Sequence, residues 1–126
     1  MAFEEVRGPA GAPRIEAVRD NRFVVAGERR DGAFLIWPDG VEAVDVEKVD
    51  DLSFADFTLA TNLQPPRDVL LIGSGAKMAW PDFDVLERLR ERGLGPEVMD
   101  SRAAARTYNL LLAEERMVAA LILPPA

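Results

Sequence analysis

The spacing of hydrophobic positions divides the chain near residue 68. From Arg14 to Val46 the apolar residues come in short pieces, "RIEAV", "RFVVAG", "FLIW" and "VEAVDV", separated by turn residues. Short runs between turn signals are what antiparallel strands leave in a sequence. Asp31-Gly32 and Asp39-Gly40 suit hairpin turns, because Asp and Gly tolerate the left-handed conformations such turns need. In "VEAVDV" the valines at 41, 44 and 46 alternate imperfectly with Glu42 and Asp45, the pattern of a half-solvated strand carrying a bulge. This half reads as an antiparallel meander.

Between the halves, "DDLSFADFTLA" places Ser53 as an N-cap with Asp56 three residues on, and gives Phe54, Phe57 and Leu59 to bury. One short helix is expected there. Pro65 and Pro66 end it, since they lack backbone donors and force the preceding residues extended.

From Asp68 the spacing changes. "DVLLI" is a continuous apolar run, as in strands covered on both faces. In "PDFDVLERLRERG", Phe83, Leu86 and Leu89 recur at helical spacing, Asp84 and Arg88 stand four apart for pairing, and Gly93 supplies a left-handed stop. "PEVMD" follows as a strand, "SRAAARTYNLLLAEE" as a helix opened by Asp100 or Ser101, and "RMVAALIL" as a third strand. The C-terminal half is thus β-α-β-α-β. The whole is expected to be a single α/β domain over residues 14–126, a mixed β-sheet with helices packed on it, preceded by a loose Gly/Pro/Ala arm over residues 1–13.

Composition narrows the function. The 126 residues carry 15 Lys+Arg against 22 Asp+Glu, a net charge of −7, which repels a polyanion, so nucleic acid is not an expected partner. The chain has no Cys and no His. Disulfides, thiolate or imidazole metal sites and His-activated nucleophiles are therefore excluded. The opening residues lack the basic and apolar regions of a signal peptide, and the longest apolar run, Met117 to Leu123, is far too short to span a bilayer. A cytoplasmic protein without membrane insertion, metal or cofactor is expected.

One stretch suggests chemistry. "LLIGSGAKM", Leu70 to Met78, is an apolar strand that ends in Gly73-Ser74-Gly75 with Lys77 beyond, the way many phosphate cradles begin. Both phosphate motifs fail here. The third glycine of a dinucleotide fingerprint is replaced by Met78, and the P-loop spacing is absent. A tight exit from a buried strand is the commoner use of such glycines. The position still matters, because loops after neighbouring parallel strands gather where open α/β sheets bind ligands. Gly73, Ser74, Gly75, Lys77, Asp100, Ser101 and Arg106 are therefore the candidate ligand or partner site, suited to a small anion. Tyr108 and Asn109 are expected to tie their helix to the core. Trp37 and Trp80, each before Pro-Asp, are either loop-level core closure or a candidate protein interface.

Three segments, "LLIGSG", "RGLGPEVMDS" and "AARTYNLLLAEERMVAALI", carry a family resemblance. The chain resembles a small α/β family of unassigned function that includes the mitochondrial respiratory complex I assembly factor and an adipogenesis-associated domain protein. The resemblance runs from about Arg14 to the end and implies a mixed five-stranded sheet with packed helices. It also implies a non-catalytic role, in which the chain binds a partner protein and helps assemble a membrane complex from its soluble side. No catalytic residue transfers from the family to this chain. A homo-oligomer is compatible with the same reading.

Overall fold

The computed structural model describes residues 11–126, so most of the expected N-terminal arm lies outside the described residues. Five strands open the chain: β1 (Ile15–Arg19), β2 (Arg22–Val25), β3 (Glu28–Arg30), β4 (Ala33–Trp37) and β5 (Gly40–Val44). They do not form one meander. β1, β2 and β3 make a separate three-stranded antiparallel sheet, while β4 and β5 join a five-stranded sheet ordered β5-β4-β8-β6-β7. Asp31-Gly32 is accordingly a passage between two sheets rather than a hairpin turn. The tight turns of the small sheet use other residues in left-handed conformations, Asp20-Asn21 and Ala26-Gly27. The bulge expected in "VEAVDV" is absent from the β4–β5 register, and an irregularity lies instead in β1 between Ile15 and Ala17.

The connecting segment behaves as its sequence predicts. Ser53 and Asp56 complete the capping box, the Ser53 amide donating to Asp56 Oδ2 at 2.8 Å. A 3-10 turn over Phe54–Phe57 runs into α1 (Thr58–Thr61), with Phe57 fully buried.

The second half is β6 (Val69–Gly73), α2 (Phe83–Glu91), β7 (Gly95–Met99), α3 (Ser101–Ala113) and β8 (Val118–Ile122), the expected β-α-β-α-β. β6 lies parallel to both β7 and β8, and β8, buried along its whole length between β4 and β6, is the apolar centre of the sheet. The chain steps from β6 to β7 in one direction, then back past β6 to β8. Right-handed crossovers in opposite directions put their helices on opposite faces. Leu86 and Leu89 of α2 accordingly pack with Leu70, Ile72 and Phe57 on one face. Ala104, Ala105, Tyr108 and Leu112 of α3 pack with Leu71, Phe34 and the small sheet on the other.

Two details of α2 depart from the helical pattern. Phe83 is not part of the buried face: it stands first in the helix and is 70% exposed, while Val85 takes the inward position. Arg88 does not pair with Asp84; its guanidinium lies 4.3 Å from the Phe54 ring centroid, and Glu87 pairs with Arg90 instead. The cation over an aromatic face ties α2 to the Phe54 turn.

Candidate functional site

The C-terminal ends of β6 and β7 form the place where the crossovers leave toward opposite faces. In open α/β sheets that divergence opens a crevice, and ligands bind there. Here the crevice is stitched shut by the chain's own hydrogen bonds. The Ser101 amide donates to the Gly75 carbonyl at 2.8 Å, and the Gly75 amide donates to Ser101 Oγ at 2.8 Å. Beside them the Ser74 amide donates to the Met99 carbonyl at 2.9 Å. A phosphate cradle needs loop amides aimed at free space, and those of Ser74 and Gly75 already have partners within the fold.

Each residue of the loop has a structural use. A Cβ placed on Gly73 would stand 3.0 Å from both Cα and Oγ of Ser101 and 3.2 Å from Ala104 Cβ, so glycine lets α3 approach the strand. Gly75 has φ of +111°, a conformation L side chains rarely adopt. The Ser74 hydroxyl donates to the Lys77 carbonyl at 2.8 Å and accepts from the Ala79 amide at 3.0 Å, which folds the following segment back on the loop. Asp100 caps α3, its Oδ1 accepting from the Ala103 amide at 2.9 Å. Gly73, Ser74, Gly75, Asp100 and Ser101 are thus brought together, as a closed junction.

The side chains of Lys77 and Arg106 are not drawn into that junction. Both are exposed. Arg106 follows Ser101 by five residues, about 140° around a helix, so Ser101 facing the sheet turns Arg106 to solvent. Two and three residues along, Tyr108 and Asn109 are buried and tie α3 to β1 and the residues before it. Asn109 Oδ1 accepts from the Ile15 amide at 2.9 Å, and its Nδ2 donates to the Ile15 carbonyl at 2.7 Å. The Tyr108 hydroxyl donates to the Pro13 carbonyl at 3.5 Å. Burial pushes the Tyr108 phenol well above its ordinary pKa; the Arg67 charge opposes that shift and Asp39 adds to it.

The two tryptophans occupy different environments. Trp37 is half-buried against the core, with its ring over Gly40, where an added Cβ would come within 2.9 Å of it. It closes its own hairpin. Trp80 is 64% exposed, and on either side of it Phe83 is largely exposed and Met78 a little under half exposed. Their neighbours point the other way, for Ala79 packs on the core and Pro81 is buried. The alternation makes the segment a strap, clamped from below by Ser74 and offering apolar side chains outward. Sequence reasoning found Trp80 but assigned Phe83 to the core, because its spacing with Leu86 and Leu89 fits a buried stripe. The available signal was Asp82, which caps α2 with its Oδ1 accepting from the Asp84 amide, so that Phe83 begins the first turn. Sequence reasoning also passed over Arg67, which is buried and donates to the Pro65 carbonyl.

Among the described residues no group of three or more His, Cys, Asp or Glu could hold a metal ion, and no helix is long and apolar enough to cross a membrane.

Comparison with known proteins gives a consistent placement. Residues 15–123 match the sequence profile of the family described as "Protein of unknown function (DUF498/DUF598)". The chain is similar to proteins named NADH dehydrogenase [ubiquinone] 1 alpha subcomplex assembly factor 3. Identity is 33% over 103 residues with that of Danio rerio, covering 82% of this chain and 59% of the relative. With that of Xenopus tropicalis it is 28% over 111 residues, covering 88% and 61%. The chain thus spans about three-fifths of the length of these relatives. Among solved structures, the crystal structure of a Bordetella parapertussis protein superposes with a TM-score of 0.82 at 34% identity, covering 92% of this chain and 99% of that one.

Proposed function

The chain belongs to the DUF498/DUF598 family, and from that membership we propose that it is a non-catalytic assembly protein that docks a partner protein on the Met78–Phe83 strap. The exposure of Trp80 and Phe83 carries this reading. Aromatic and Met side chains are the residues that anchor interfaces, and burying one fully is worth about 1.5–3 kcal/mol. The name of the relatives suggests the setting: assembly of an NADH dehydrogenase-type respiratory complex. The absence of His and Cys leaves the chain without the side chains most often used in acid-base or nucleophilic catalysis. The closed β6/β7 crevice argues in the same direction, since the two amides that an anion would meet first are already bonded.

Deletion of the gene in its native host, read out by in-gel NADH dehydrogenase activity of the solubilised membranes, tests the proposal. The assembled complex is expected to fall and to be restored by the wild-type chain. A Met78→Ser, Trp80→Ser, Phe83→Ser variant that retains its fold is expected not to restore it. Unchanged activity after deletion, or full rescue by the triple variant, would overturn the reading.

A further inference from the structure

Among the described residues the five-stranded sheet has an open edge at β5, which is hydrogen-bonded there to β4 alone. Native sheets blunt or cover such edges, and an uncovered one is a template for another strand. Beside β5 lies a groove of about 500 Å³, between the strand and the segment carrying α1. Leu35, Val44 and Leu59 give it an apolar lining, and Glu42, Asp45 and Asp56 stand along it. Asp56 is held by its capping bond to Ser53. Glu42 and Asp45 have no ion-pair partner among the described residues, and no Lys or Arg lines the groove.

We propose that this groove takes an extended, basic segment of a partner protein, added to the sheet as a strand beside β5. Main-chain hydrogen bonds to the open edge would supply register, and small apolar side chains would enter the groove. Long Lys or Arg side chains would lay their stems on its apolar wall and bring their charges to Glu42 and Asp45. The same carboxylates select against other occupants. A second copy pairing through β5 would bring its own Glu42 and Asp45 to the interface, and like charges across a strand pair are destabilising. At −7 overall, the chain also repels acidic segments at longer range. No residue of the Met78–Phe83 strap lines the groove, so this surface stands or falls separately from that one.

Fluorescence anisotropy with a labelled Lys-Val-Lys-Val-Lys-Val amide tests the proposal, beside a peptide of equal charge whose central Val is replaced by Pro. The Glu42→Gln, Asp45→Asn variant is compared with Glu91→Gln, Glu97→Gln, which removes the same charge from exposed positions outside the groove. Binding by the wild type is expected to weaken about tenfold in the β5 variant, which loses two ion pairs, and to change little in the distal one. The Pro peptide is expected to bind more weakly, and amide NMR shifts on adding the Val peptide are expected to centre on residues 40–45 and 54–62. No binding, equal losses in the two variants, equal affinity for the Pro peptide, or self-association of the wild type through β5 would each overturn it.

Discussion

Ser101 and Gly75 exchange two hydrogen bonds across the divergence of β6 and β7, the Ser101 amide to the Gly75 carbonyl and the Gly75 amide to the Ser101 hydroxyl, both at 2.8 Å. This reciprocal latch converts a place where α/β sheets commonly bind ligands into a fixed base for the strap that follows. Ser101 is fully buried, so its hydroxyl has no water to turn to. Ser101→Ala is therefore expected to destabilise the fold by about 1 kcal/mol or more, the cost of leaving the half-buried Gly75 amide without its partner, measured by urea unfolding.

The neighbouring glycines answer to different constraints, and stability measurements should separate them. At Gly73 the obstacle is space: Gly73→Val drives a branched side chain into Ser101 and Ala104 and is expected to cost about 3 kcal/mol or more. At Gly75 it is conformation. The nearest atom to an added Cβ is the Pro124 carbonyl oxygen at 3.9 Å, so Gly75→Ala meets no clash and is expected to cost about 1–3 kcal/mol, from its positive φ alone. Equal losses at the two sites would contradict the separate assignments.

Much of this arrangement could be read from the chain before its structure. The apolar run at Leu70–Ile72, the capping box at Ser53 and Asp56, and the stop at Gly93 are local signals, and each fixed an element. The separation of β1, β2 and β3 into their own sheet was not legible, because strand pairing depends on which apolar faces meet. Phe23 and Phe34 meet edge to face with centroids 6.0 Å apart, a contact between sheets that no local spacing encodes. Of the candidate residues, Lys77 and Arg106 turn to solvent, while Gly73, Ser74, Gly75, Asp100 and Ser101 stand together in the fold. Their hydrogen bonding to one another was invisible to residue type alone.

Asn109 acts on Ile15 as a neighbouring strand would, meeting both its amide and its carbonyl from one side chain. Asn109→Asp would lose the donor and set a buried carboxylate against the Ile15 carbonyl. A loss of about 3 kcal/mol is expected from the uncompensated charge and the unpaired carbonyl, read from the urea midpoint.

Tyr108 is the one tyrosine of the chain, so phenolate absorbance reports it alone. Its pKa is raised in the folded protein chiefly by burial. The unfolded chain therefore releases this proton first as pH rises past about 10, and the stabilising contribution, complete below that pH, is lost progressively above it. Phenolate absorbance in the folded protein is expected to appear well above the ordinary tyrosine range or only with unfolding. Tyr108→Phe is expected to flatten the alkaline decline in stability. Titration at the ordinary tyrosine pKa in the folded chain would contradict its burial.

The central claim is that a partner protein sits on Trp80. A photo-crosslinking amino acid placed at position 80 in the native host, with position 97 on β7 as the exposed control, tests contact at the residue itself. The account predicts a discrete adduct from position 80, containing a subunit or assembly intermediate of an NADH dehydrogenase-type complex and absent from position 97. No adduct at position 80, or the same adducts from both positions, would contradict it.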